Sequence, residues 1–135
     1  MHSISPYYIT GLVETDGSFL VTFDKDSRSR YGLRAVPKFY ITQYQSEESD
    51  ILFKKIQQYF VCGHITVSRY DNCYYYIIRQ QLLDKILPHF DKYPLKSTKH
   101  QSYQIFKRVI QMQQSKQHIT RGGLIIELCY DMNEC

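Results

Sequence analysis

The spacing of apolar residues changes period several times along the chain, and each change marks an element. Ser5-Pro6 reads as an N-cap followed by a proline at the first helical position. It opens a helix that runs to about Thr15 and stops at Asp16-Gly17. "SFLVTFDKD" then alternates, with Phe19, Val21 and Phe23 on one side and Ser18, Thr22 and Asp24 on the other, which predicts a half-buried strand. After the polar turn "KDSRSRYG", a second strand, "LRAVPKFYITQ", places Leu33, Ala35, Phe39 and Ile41 inward and Arg34, Lys38, Tyr40 and Thr42 outward. Pro37 cannot donate to a ladder, so an edge position or a bulge is expected there.

Ser46 caps the next helix, whose first turn holds Glu47, Glu48 and Asp50 at the positive end of the dipole. Leu52, Phe53, Ile56, Tyr59 and Phe60 form its apolar stripe, and Cys62-Gly63 ends it. "HITVS" and "CYYYIIR" predict a second strand pair around an Asp71-Asn72 turn. "QQLLDKILPHF" predicts a short helix, Thr98 to about Gln114 a longer one, and Thr120 caps a last helix carrying Leu124, Ile125, Leu128 and Met132. The order α-β-β-α-β-β-α-α-α describes one α+β domain over residues 1–135, with helices on one face of an antiparallel sheet. The outer sheet face is expected to be polar and slightly basic.

Composition narrows the function classes. The 135 residues suit one domain, and 43% hydrophobic with 22% charged residues argues against disorder. A net charge of +4 permits an anionic partner without requiring one. Thirteen tyrosines and no tryptophan suit half-buried sheets and interfaces. Cys62, Cys73, Cys129 and Cys135 form no C-x-x-C pair, so reduced thiols are expected rather than zinc or disulfides. The five histidines show no metal-binding spacing, no apolar run approaches membrane-spanning length, and no signal peptide opens the chain, so a soluble protein is expected.

The chemistry concentrates in "ITGLVETDGSF", from Ile9 to Phe19. Gly11 and Thr15 share one helix face, and a glycine inside a helix costs about 1 kcal/mol relative to alanine. It therefore calls for a packing reason: either it fits under a core aromatic, or it allows a second helix close approach across a symmetric dimer. Glu14 and Asp16 meet the negative end of the helix dipole and repel each other. A divalent cation relieves both problems, and Mg²⁺ characteristically takes one or two carboxylates, leaving water and phosphate at its other positions. On these residues alone, structural and functional origins remain equally open.

This motif resembles the signature of the LAGLIDADG homing endonucleases. "HFDKYPLKSTK" (His89 to Lys99) and "GLIIELCYDMN" are similar to two further segments of that family, in the same order. The resemblance implies the αββαββα fold with a saddle-shaped antiparallel sheet. It further implies metal-dependent double-strand DNA cleavage and, with one motif copy, a homodimer acting on near-palindromic DNA. Ile9 and Thr10 stand in place of Leu-Ala, Glu14 in place of Asp and Thr15 in place of a smaller residue. The two threonines are expected to loosen the helix contact slightly.

Carried over by position, Asp16 and the Thr15 carbonyl would bind Mg²⁺, with Mn²⁺ or Ca²⁺ able to substitute in binding. Gln43 would organise water, and Lys99 would offset charge near the scissile phosphate, with Lys96 as its alternative. Tyr8, Gly11, Leu12, Glu14 and Thr15 would form the dimer interface, Glu14 bonding to a helix start of the partner subunit. For DNA, the outward sheet residues are expected to read bases: Thr22, Asp24, Arg34, Lys38, Tyr40, Thr66, Ser68, Tyr74 and Tyr76. The parity of "CYYYIIR" leaves Tyr75 and Ile77 able to exchange with Tyr74 and Tyr76. Arg28, Arg30 and Arg69 in turns would hold phosphates. The family setting implies an intron of a mitochondrial or chloroplast genome. A splicing maturase acting on intron RNA, a DNA binder without catalysis, or half of a larger enzyme are the alternatives.

Overall fold

The computed structural model describes residues 4–27 and 32–114. Helix α1 spans Pro6–Asp16, strand β1 Gly17–Lys25, strand β2 Leu33–Tyr44 and helix α2 Glu47–Phe60. Strands β3 (His64–Val67) and β4 (Cys73–Ile77) follow, then a 3₁₀ helix (Gln80–Ile86), helix α3 (Leu87–Lys92) and helix α4 (Lys99–Gln114). The four strands form one antiparallel sheet in the order β1-β2-β4-β3. The helix expected after Thr120 lies outside the described residues.

The local chemistry explains most boundaries. Ser46 accepts from the Ser49 amide at the start of α2, while the Ser5 side chain makes no capping bond to α1. There the Ser5 carbonyl closes the first turn, accepting from Tyr8 and Ile9. Helix α2 ends at Phe60, directly before the expected Cys62-Gly63 stop, with the C-cap Val61 in the left-handed region at φ 56°. Gly63 follows at φ +99°, and a Cβ there would collide with the Tyr76 ring, whose hydroxyl donates to the Cys62 carbonyl. The single helix expected over "QQLLDKILPHF" is two elements. Pro88, in the first turn of α3, has no amide to continue the preceding ladder.

Pro37 sits in the half of β2 that, among the described residues, pairs only with β1, opposite Val21; pairing with β4 begins at Tyr40. It thus occupies an edge within a strand that is central elsewhere. The core lies between the sheet and the helices. Phe19 stacks against Phe39, Phe90, Tyr103 and Phe106 with ring centroids 5.1 to 5.2 Å apart. Ile41, Phe53, Ile56, Tyr76 and Leu83 complete it, all fully buried. Because α1 leads straight into β1 with no loop, its last residue is carried to the end of the sheet.

Candidate active site and nucleic-acid face

Asp16 is the exposed last residue of α1, and its Oδ2 accepts from Gln43 Nε2 at 2.5 Å. Gln43 lies near the end of β2, past the last residue that β1 pairs. Lys99, the first residue of α4, reaches back so that its Nζ donates to the Val13 carbonyl at 2.9 Å. A cation is thereby fixed at the negative end of α1, next to the acid that this dipole disfavours. Asp16, Gln43 and Lys99, separated widely in the chain, thus converge on one helix end.

The donor set suits a hard cation. Asp16 offers one exposed carboxylate beside the main-chain oxygen of Thr15, the arrangement Mg²⁺ uses when water and phosphate fill its remaining positions. Among the described residues no group of three or more His, Cys, Asp or Glu side chains assembles. The Thr15 side chain is turned back on its own helix, donating to the Leu12 carbonyl.

Glu14 does something other than expected. Its Oε1 accepts from the Lys96 amide at 2.6 Å and the Ser97 amide at 3.4 Å, within its own chain. Burial pushes this carboxyl up. The hydrogen bonds from Ser97 and Lys96, with the Lys99 charge, outweigh burial and hold it below the ordinary value. Within its own chain, the helix start that Glu14 bonds is therefore that of α4. Lys96 contributes its backbone to this contact, so Lys99 is the lysine that reaches the site.

Thr10 also faces inward. Its hydroxyl donates to the Tyr93 carbonyl at 2.9 Å, which leaves its oxygen to accept from His89 Nε2 at 3.0 Å. His89 Nδ1 then accepts from the Tyr59 hydroxyl at 2.8 Å. These donors define a neutral, Nε2-protonated imidazole, and burial lowers its pKa to about 4. Thr10 therefore ties α1 to α3 and does not loosen the outer helix face as expected. That face carries Tyr7 and Tyr8 (74% and 55% exposed), Gly11, the half-buried Leu12 and Thr15. A Cβ on Gly11 would meet nothing within 4 Å, so no core aromatic among the described residues requires this glycine.

On the sheet's outer face, register decides the parity that the sequence left open. Tyr76 aligns with Ile41 and Ile65 and is fully buried, and Tyr74 packs against the same core. Neither can read DNA as expected. Tyr75 and Ile77 instead share the outer face, aligned with Thr42 and Thr66 and with Tyr40 and His64. Arg34 pairs with Asp24 across the strands at 3.9 Å. Lys38 is exposed opposite Leu20, and Tyr40 packs on Tyr75 with ring centroids 5.9 Å apart. The Thr22 hydroxyl is enclosed, with no hydrogen-bond partner among the described residues. Ser68 belongs to the β3–β4 turn, where its Oγ accepts from the Tyr70 amide, and Arg69 beside it is exposed. Arg28 and Arg30 lie outside the described residues. Sequence reading missed Leu20 and His64 on this face; the strict alternation of β1 and β3 would have included both.

The LAGLIDADG endonuclease family model matches residues 9–110, from the motif helix through most of α4. The chain belongs to the LAGLIDADG endonuclease family. A Mycosarcoma maydis protein named "Probable intron-encoded DNA endonuclease 1" is 30% identical over 135 residues, covering 98% of this chain and 48% of that protein. The homing endonuclease I-TnaI has the same fold, with a TM-score of 0.78 over 98% of this chain and 99% of its own, at 24% identity. The LAGLIDADG meganuclease I-SmaMI, solved bound to uncleavable DNA, is 31% identical with a TM-score of 0.79, over 91% of this chain and 41% of its own. The chain spans between 25% and 48% of the length of the curated relatives it matches.

Proposed function

We propose that this LAGLIDADG protein is a site-specific, divalent-metal-dependent double-strand DNA endonuclease that works as a homodimer on a long, near-palindromic target. The observation that carries the reading is the meeting of Asp16, Gln43 and Lys99 at the end of α1. Asp16 and the Thr15 carbonyl would hold Mg²⁺, which when bound supplies Lewis-acid activation of the phosphodiester. Gln43 would orient the attacking water, and the Lys99 ammonium would offset charge developing on the phosphate. The Tyr8, Gly11, Leu12 and Thr15 face would receive the same face of a second copy, setting two Asp16 side chains near the dyad, one for each strand.

Double-stranded DNA would lie along the outer sheet face, with Lys38, Tyr40, Thr66, Arg34 and Asp24 at base edges and Arg28, Arg30 and Arg69 at phosphates. The I-SmaMI complex with DNA supports this partner, and a structure of I-SmaMI with uncleaved DNA and Ca²⁺ supports the cation requirement. The intron-encoded names of the relatives support an organelle setting, a mitochondrion before a chloroplast. They name endonucleases, which favours cleavage over a maturase acting on intron RNA.

A randomised duplex library incubated with the protein and Mg²⁺ tests the proposal. Cut ends enriched around one near-palindromic sequence, and absent with Asp16→Asn, are the expected result. Binding without cutting in both Mg²⁺ and Mn²⁺ would make the protein a DNA binder instead.

A further inference from the structure

The Tyr75 hydroxyl is already committed before any ligand arrives. It donates to Asp71 Oδ2 at 2.6 Å, while Asp71 Oδ1 accepts from the Cys73 amide at 3.1 Å. Each carboxylate oxygen therefore has its own partner, and the turn that carries Asp71 is held in place by the strand that carries Tyr75. The ring is also fixed from the side by Tyr40. Asn72, in the left-handed region at φ 55°, closes this turn tightly enough for Asp71 to reach back over β4.

A tyrosine hydroxyl has one proton and can donate only once. With that proton given to Asp71, the oxygen presents lone pairs alone to whatever lies over the sheet. The aspartate can only accept, so the bond cannot reverse its direction. The Asp71 carboxyl is held below its ordinary value by the Tyr75 and Ser68 hydrogen bonds, and the Tyr75 hydroxyl is pushed up to about 12, first by the same bond to Asp71. The proton therefore stays on the tyrosine through the neutral range.

In the major groove the four bases divide by polarity. Adenine N6 and cytosine N4 carry amino donors, whereas thymine O4 and guanine O6 and N7 only accept. We infer that Tyr75, oriented by Asp71, is a specificity-determining residue that selects an amino-bearing base, adenine or cytosine, on the strand it faces. The inference rests on the reading of the outer sheet face as the DNA surface. Aspartate here acts as a positioning residue: it sets which way the hydroxyl points and touches no base itself.

Two substitutions separate this from a general contact. Tyr75→Phe deletes the lone pairs and leaves the ring on Tyr40. Asp71→Asn keeps Oδ1 for the Cys73 amide and replaces Oδ2 by an amino group that donates to the tyrosine oxygen, which turns the hydroxyl proton outward. A randomised duplex library bound in Ca²⁺, separated by gel shift and sequenced, reads all three proteins at every base position. Circular dichroism verifies that each variant is folded.

The wild type is expected to enrich adenine or cytosine at one symmetry-related pair of positions. Tyr75→Phe should lose that preference by about tenfold there and nowhere else, and Asp71→Asn should exchange it for thymine or guanine. Identical profiles for the three folded proteins would overturn the inference while leaving the DNA surface in place. Equal weakening on all sequences would also overturn it, reducing Tyr75 to a contact without selectivity. Failure of the wild type to bind any duplex would remove the function reading and this inference together.

Discussion

Lys99 Nζ lies 2.9 Å from the carbonyl oxygen of Val13, so the first residue of α4 is bonded into the last turn of α1. The contact returns a cation to a helix end that otherwise has no basic residue in its last turn. Replacing Lys99 by methionine keeps most of the stem and removes the charge. The expected result is a single-turnover cleavage rate lower by about 100-fold, with a stability loss of only about 1 kcal/mol from the missing hydrogen bond. A cleavage rate unchanged by Lys99→Met would remove this lysine from the chemistry.

The Thr10–His89–Tyr59 chain makes stability depend on pH. Burial holds His89 at about 4, against 6.5 for an ordinary imidazole, so the unfolded chain takes up the proton first as pH falls. This contribution is fully present above pH 6.5 and is lost between 6.5 and 4, amounting to about 3 kcal/mol. Urea unfolding across that window should show the decline in the wild type. His89→Gln, which can still accept from Tyr59 and donate to Thr10, should flatten it.

Gly11 separates what the single chain needs from what an assembly needs. With nothing within 4 Å of a Cβ, Gly11→Ala should stabilise an unpaired chain by about 1 kcal/mol through helix propensity. Gly11→Leu should fold but fail to pair. Light scattering of the leucine variant gives the answer: a dimer as tight as the wild type would remove this helix face from the interface.

Gly63 behaves in the opposite way. Its φ of +99° and the Tyr76 ring against it leave no room for a side chain. Gly63→Ala should cost about 2 kcal/mol or more, read as a lowered urea midpoint with an unchanged slope. The ring cannot yield without breaking the hydroxyl's bond to the Cys62 carbonyl.

How much of this was legible in the sequence depended on the kind of signal each segment carries. The αββαββ order followed from clean alternation in β1 and β2 and from a clean stripe in α2, and the structure has the same order. Alternation failed in β4 because Tyr74, Tyr75 and Tyr76 are the same residue, and only pairing with Ile41 and Thr42 reveals which one is buried. Glu14 and Thr10 were read outward because a helix pattern gives the face but not the partner that claims it. The distant Lys96 and His89 settle both. The meeting of Asp16 with Gln43 and Lys99 was anticipated through family resemblance. Local spacing carries no information about contacts 27 and 86 residues apart.

Pro37 has a consequence for how the molecule behaves at high concentration. Among the described residues, the half of β2 before Tyr40 has one flank without a neighbouring strand, a ready template for another chain to add on. Proline offers no amide there, and Gln113 Nε2 already occupies the nearby Ala35 carbonyl at 2.7 Å. Both halves of the backbone invitation are withdrawn along this stretch. A strand of another chain is thereby denied a docking register along this stretch, and addition at the sheet is left to the outer edges of β1 and β3.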